Sequence, residues 1–94
     1  MQEKISRYDI NRRVKMILSR HAVDLSHLHY SSAGRTVYIY GTLLKDPEGD
    51  FEISEIRTII SELNTIPEIQ GLDFDISNWT LSYEPGAMVI TSKK

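Results

Sequence analysis

Two histidines, His27 and His29, are the first residues in the chain whose type and spacing could support chemistry. In an extended strand, side chains at positions i and i+2 project from the same face, so both imidazoles would point to one side. Such a pair can form part of a metal site, but Zn²⁺ takes three or four ligands. Asp73 and Asp75 could add oxygen ligands if the third strand lay beside the first. We expect two surface histidines without a metal, paired with these aspartates as the pH falls towards 6.

A pair of tyrosines, Tyr38 and Tyr40, lies on the polar side of the clearest strand pattern in the chain, residues 36–43. An uncovered aromatic face is typical of a protein contact or of self-association. Exposed rings can also stack nucleic-acid bases, although Asp73 and Asp75 would repel a phosphate backbone. A third interpretation is that the two tyrosines only pair with side chains of neighbouring strands on a solvated face. The predicted protein-binding residues are Tyr38, Tyr40, His27 and His29.

Positive charge is concentrated near the N-terminus. The first thirty residues carry six basic and three acidic side chains, whereas the remainder carries five basic and ten acidic ones, for a net charge of −2. A local excess of positive charge attracts the phosphates of lipid or nucleic acid. A solvated helix face is the alternative, because the cluster is weaker than the footprint of most nucleic-acid-binding domains. The residues predicted to contact an anionic lipid surface are Arg12, Arg13, Lys15 and Arg20.

The sequence offers little support for catalysis. There is no cysteine, so disulfides and thiolate chemistry are excluded. The chain also lacks a nucleophile elbow, a glycine-rich phosphate loop and the H-E-x-x-H zinc motif. Acidic residues alternate over 46–52, but their spacing does not match a Ca²⁺ loop and Pro47 interrupts them. We therefore expect a protein that is not an enzyme and that has no cofactor.

Two amphipathic helices are predicted to support these surfaces. The first covers residues 8–21, capped by Ser6 or Asp9, and the second begins after an N-cap at Asp50 and ends near Asn64. Phe51 and Ile53 should extend the apolar stripe of the second helix towards the preceding loop. The apolar positions recur at helical spacing; they are Ile10, Val14, Ile17 and Leu18 in the first helix and Ile56, Ile59, Ile60 and Leu63 in the second.

Three strands are predicted from alternation of apolar and polar residues, over 26–32, 36–43 and 72–77. Gly41 lies on the apolar side of the second strand, where it leaves room for a helix or marks a bulge. The apolar phase shifts by one residue at Trp79, which indicates a bulge or a separate extension. Trp79 should close the core, with a role as an anchor for a partner or membrane as the alternative.

The resulting element order is α-β-β-α-β. With 94 residues, of which 40% are hydrophobic, the chain can form one domain with a modest core. One apolar face on each element favours two helices packed on one face of a three-stranded mixed sheet, an α+β fold in which the second and third strands are parallel. The core should span residues 8–83, followed by a flexible tail over 84–94 that includes a short edge strand at 87–91.

These patterns resemble a BON domain over roughly residues 8–78. BON domains are small αββαβ modules of bacterial envelope and osmotic-stress proteins, and the resemblance implies binding to phospholipid membranes or partner proteins, with no catalytic residues. The strand motif g-x-V-x-L-x-G-x-V is approximated by Val37, Ile39, Gly41 and Leu43. The later motif i-p-G-V-x-x-V is approximated by Ile66, Pro67, Ile69, Leu72 and Phe74.

The N-terminal sequence MQEKISRYDI lacks the apolar segment of a secretory signal. We therefore expect a cytoplasmic protein, or a periplasmic one if the chain is cut from a longer exported precursor. An absence of cysteine is compatible with both compartments.

Overall fold

The computed structural model describes residues 7–47, 49–84 and 87–93. Helix α1 spans Arg7–Arg20 and helix α2 spans Ile53–Leu63. The strands are β1 (Leu28–Ala33), β2 (Thr36–Gly41), β3 (Gly71–Ile76), β4 (Trp79–Glu84) and β5 (Ala87–Ser92).

Strands β1, β2 and β3 form a mixed sheet with β2 at its centre. β1 pairs with β2 in the antiparallel direction, and β3 pairs with β2 in the parallel direction. The predicted α+β arrangement, with both helices on one face of a three-stranded mixed sheet, is confirmed. Since β3 lies beside β2 and not beside β1, the condition for direct pairing between the histidines and the β3 aspartates is not met.

The core lies between the sheet and the two helices. All eight apolar positions predicted to form the helix stripes are buried. Val37 and Ile39 of β2 face the helices and are almost completely buried, which leaves Tyr38 and Tyr40 on the other side. None of the described helices is long and apolar enough to cross a membrane.

Helix α1 ends in a left-handed turn at Ala22, where φ is 58°. The Val23 N–H donates to the Leu18 carbonyl, and the Ala22 N–H donates to the Ser19 carbonyl. These two bonds form a Schellman motif, and burial of both Val23 and Leu18 provides its usual apolar contact. Asp9 lies inside the first turn of α1 rather than at its N-cap, and the other predicted cap, Ser6, is outside the described residues.

Helix α2 begins two residues later than the sequence indicates. The N-cap is Glu52 and not Asp50, because Glu55 Oε1 accepts the Glu52 N–H at 2.9 Å and satisfies it at the helix end. Ile53 becomes the first helical residue and is 47% exposed, so its predicted place in the stripe is wrong. Phe51, which precedes the helix, is buried as predicted and fills that end of the core.

The element that approaches Gly41 closely is the backbone at the start of β1, and not a helix. The φ of Gly41 is 120°, and an added Cβ would lie 2.3 Å from the carbonyl oxygen of His27. The same oxygen accepts the Thr42 N–H at 2.9 Å, which holds the end of β2 against the start of β1. Only glycine fits this position without moving one of the two backbones.

The apolar phase shift at Trp79 marks the end of β3 and the start of a separate hairpin. Ser77 and Asn78 form the bend, after which β4 pairs with β5 in an antiparallel two-stranded sheet. Trp79 is buried in the core as predicted. Other side chains of the hairpin pack against the core, namely Leu81, Tyr83, Met88 and Ile90. Residues 87–92 form a regular strand paired with β4, which confirms the short strand predicted at 87–91. The prediction that this segment belongs to a flexible tail is therefore wrong.

Candidate protein-binding surface

The surface of the three-stranded sheet that faces away from the helices carries two partly exposed tyrosines. Tyr38 is 39% exposed and Tyr40 is 43% exposed, although both belong to the central strand. Alternation along β2 places them on the opposite side from Val37 and Ile39. This partial exposure leaves the aromatic pair at the centre of the sheet accessible for contact.

The strand register determines which side chains flank the tyrosines. Tyr38 is aligned with Asp73 of β3, while Tyr40 is aligned with His29 of β1 and Asp75 of β3. The His29 and Tyr40 rings are 5.5 Å apart between centroids and tilted by 34°, within the range of favourable aromatic pairs. We call these five residues, His29, Tyr38, Tyr40, Asp73 and Asp75, the tyrosine face.

His27 does not belong to this cluster. It lies in the turn that precedes β1, and its Nε2 is 3.9 Å from Asp24 Oδ2. Asp24 also accepts hydrogen bonds from the Ser26 hydroxyl and the Ser26 N–H. These bonds, with the hydroxyl contributing most, lower the pKa of Asp24 below its usual value. The structure therefore brings together three of the four predicted protein-binding residues.

Two carboxylates on the tyrosine face, those of Asp73 and Asp75, are not among the protein-binding residues predicted from the sequence. Asp73 and Asp75 are exposed, and neither has a cationic partner among the described residues. Their alternation with Leu72 and Phe74 indicated one common face, but only the parallel register with β2 places that face beside the tyrosines. The surface is thus aromatic at its centre and acidic along one side.

No three histidine, aspartate or glutamate side chains are grouped closely enough to hold a metal ion within the described ranges. On the tyrosine face, the strand order explains why His29 and the β3 aspartates are not grouped. His29 and Asp75 are on strands separated by β2, which puts their backbones roughly 10 Å apart at two strand spacings.

The four cations predicted to contact lipid share helix α1 but differ in their partners. Arg13 forms an ion pair with Glu68, and Arg20 forms one with Glu62 at 3.0 Å. Arg12 is 3.8 Å from Asp9, one helical turn away. No acidic side chain of the described chain pairs with Lys15, which is exposed.

Glu62 of α2 connects the two helices through both of its carboxylate oxygens. Oε1 accepts from Arg20, and Oε2 lies 2.9 Å from His21 Nε2. The Arg13–Glu68 pair adds a second connection between α1 and the segment after α2. Arg13 and Arg20 therefore contribute to the packing of α1, and part of the positive charge predicted for lipid contact is neutralised within the domain.

A groove of about 300 Å³ lies between these two ion pairs. Met16 lines it and is 58% exposed, while Ile17 and Ile66 lie at its buried side. A second groove of about 390 Å³ lies between α1 and β1, lined by Asn11, Arg12, Lys15 and Tyr30. Arg12 and Lys15, which line this second groove, form no interhelical ion pair among the described residues.

In comparisons with known proteins, no family model, curated protein or solved structure matched this chain.

Proposed function

We propose that this domain is a non-enzymatic binding module whose tyrosine face docks a basic segment of a partner protein. The observation that carries the proposal is the alignment of the exposed Tyr38 and Tyr40 with the exposed carboxylates of Asp73 and Asp75, which have no cationic partner among the described residues.

The chemistry of this face suits an arginine side chain. A guanidinium group can stack on a tyrosine ring, which contributes about 0.5–2 kcal/mol depending on how far the pair is desolvated. Its N–H groups can at the same time donate to a neighbouring carboxylate in a fixed, planar geometry. Tyr38 and Asp73 occupy aligned positions on adjacent strands, so one arginine can make both contacts.

The same charges count against the alternative of nucleic-acid binding. Asp73 and Asp75 would face any phosphate backbone laid across the tyrosines, and no Lys or Arg lies among the aligned residues of the tyrosine face. Binding to nucleic acid depends on neutralising phosphates with cations. A protein partner agrees better with the charge of this face.

The resemblance to BON domains supports a binding role in preference to an enzymatic one. It also implies contact with anionic phospholipid through α1. That contact has weaker support, because Arg13 and Arg20 already bind carboxylates of the domain itself. We therefore assign the tyrosine face, and not the α1 cations, as the principal binding surface.

The proposal is tested by titrating the full chain with a short peptide in which arginine alternates with glycine, monitored by amide chemical shifts. We expect shifts confined to β2 and to the facing residues of β1 and β3. Asp73→Asn and Asp75→Asn should each weaken binding, whereas Asp46→Asn, in an exposed loop, should not.

A parallel titration uses single-stranded oligonucleotide and vesicles containing anionic lipid. The proposal predicts that neither shifts the resonances of Tyr38 and Tyr40. No peptide binding, equal loss of binding in Asp46→Asn, or an oligonucleotide response at the tyrosines would contradict it.

A further inference from the structure

We infer that the outer edge of β1 accepts an extended, acidic segment of a partner protein as an additional strand. β1 is the edge strand of the three-stranded sheet, and its only partner among the described strands is β2. Exposed strand edges are templates for such pairing, because their backbone N–H and C=O groups lack partners.

The pairing phase of β1 identifies the backbone groups that face outwards. Thr42 N–H donates to the His27 carbonyl at 2.9 Å, so residues 27 and 42 form a hydrogen-bonded pair. Hydrogen-bonded and non-hydrogen-bonded pairs alternate in an antiparallel ladder. Tyr30 therefore occupies a non-hydrogen-bonded position opposite Ile39. Its N–H and C=O groups point away from β2, towards the outer edge of β1. Leu28 has the same phase but is 2% exposed, so Tyr30 is the position at which an added strand can pair.

A groove is present beside this edge. The 390 Å³ space between α1 and β1 is lined by Tyr30 together with Asn11, Arg12 and Lys15. Asn11 Oδ1 is buried and has no hydrogen-bond donor within the described structure. A buried acceptor without a donor is destabilising, and a donor on an incoming segment would satisfy it. The groove also has room for side chains of the added strand.

The charges of the groove determine the occupant. Lys15 has no acidic partner in the described chain, and Arg12 has only the exposed contact with Asp9 at 3.8 Å. Both cations would attract acidic side chains on the added strand. A second copy of β1 paired at the same edge would instead bring the Arg12 and Lys15 side chains of both copies together. Like-charge repulsion thus disfavours self-pairing and favours an acidic partner segment.

The experiment selects binders from a displayed library of random ten-residue peptides, using the full chain as target. We expect enrichment of peptides with acidic residues at alternating positions, because alternate side chains of a strand face the same side. Binding of the selected peptide should slow hydrogen exchange of the Tyr30 amide in the unmodified protein.

Two matched pairs of variants test the mechanism. Tyr30→Pro removes the outward N–H, and Tyr30→Ala loses the same side chain but keeps the donor. We expect about tenfold weaker binding for Tyr30→Pro than for Tyr30→Ala, the value of one hydrogen bond left unmade. Combined Arg12→Glu and Lys15→Glu should abolish binding, whereas Arg57→Glu, on the exposed side of α2, should leave it unchanged.

The outcomes separate this surface from the tyrosine face. Asp73→Asn and Asp75→Asn should not alter binding of the acidic peptide. Recovery of no acidic alternating peptide, unchanged exchange at Tyr30, or equal affinities of the two Tyr30 variants overturns the inference. A dimer in solution that Tyr30→Pro dissociates would show that a second copy, and not an acidic partner, occupies the edge.

Discussion

The side-chain amide of Asn78 binds both backbone polar groups of Leu43. Its Oδ1 accepts the Leu43 N–H at 3.0 Å, and its Nδ2 donates to the Leu43 carbonyl at 2.9 Å. The Asn78 side chain thus makes the two backbone hydrogen bonds that a neighbouring strand would otherwise make, at the point where the chain leaves β2. It joins this point to the bend between β3 and β4, which fixes the start of the hairpin relative to the sheet.

Replacing Asn78 should destabilise the protein. Asn78→Ala removes both bonds and leaves two part-buried backbone groups without partners, so the free energy of unfolding should fall by about 1–3 kcal/mol. Asn78→Asp keeps the acceptor but loses the donor, and its effect should be smaller. Denaturant unfolding measures both changes, with Thr80→Ala on the exposed side of β4 as the control. Equal stability of Asn78→Ala and the control would refute the role of this amide.

Alanine at residue 41 should be strongly destabilising. Gly41→Ala combines a positive φ with a Cβ that would lie 2.3 Å from the His27 carbonyl oxygen, and we expect a loss of about 3 kcal/mol. Gly34→Ala provides the matched control, because Gly34 also has a positive φ but no atom within 4 Å of an added Cβ. Its loss should be about 1 kcal/mol, the cost of the left-handed conformation alone. Thermal or urea unfolding distinguishes the two, and similar losses would show that the close approach is not a constraint.

Ala22→Gly should stabilise the protein. Ala22 adopts φ of 58° at the end of α1, a conformation that costs a non-glycine residue about 1–2 kcal/mol. Part of this gain is offset by the greater freedom of glycine in the unfolded chain, so we expect a net increase of about 0.5–1 kcal/mol. Ala87→Gly, in the exposed strand β5, should have the opposite sign. A midpoint of unfolding that does not rise in Ala22→Gly would contradict the Schellman geometry.

Acid should remove a stabilising contribution of Glu55. The hydrogen bond from Lys45, at 2.8 Å, and that from the Glu52 N–H lower the pKa of Glu55 below its usual value. Because the folded-state pKa is the lower one, this contribution is fully present above about pH 4.5 and is lost as the pH falls through the folded value.

The Glu55→Gln variant should therefore show a shallower decline of stability between neutral and acidic pH than the unmodified protein. Lys45→Met removes the hydrogen bond that lowers the pKa of Glu55 most, and it should reduce the same decline. Denaturant unfolding at a series of pH values measures both slopes. Parallel curves for the unmodified protein and Glu55→Gln would exclude this carboxylate from the acid response.

Local patterns were sufficient to predict both helices, the three strands of the mixed sheet and most of the core, but they indicated only an extension where β4 lies. Ile56, Ile59, Ile60 and Leu63 repeat at helical spacing, and all four are buried. The end of α2 near Asn64 was also predicted, whereas its start was not. Both Asp50 and Glu52 precede plausible first turns. Which of them becomes the N-cap depends on whether the Glu55 side chain can fold back on the helix end.

The tyrosine face was only partly predictable. Exposure of Tyr38 and Tyr40 follows from alternation within one strand, but the placement of Asp73 and Asp75 beside them depends on pairing between strands more than thirty residues apart. Alternation alone groups His27 with His29. In the structure it lies in the turn ahead of β1.

Most of the residues that each helix and strand buries can be predicted from the amino-acid pattern, because the spacing of apolar side chains along a helix or strand is a local property; Ile53 is an exception. Three features follow from the tertiary fold: β3 lies beside β2, β1 lies at the edge of the described sheet, and Asn78 reaches Leu43. Those features depend on the order and register of strands brought together by packing. Periodicity cannot encode them, since several registers would bury the same apolar faces.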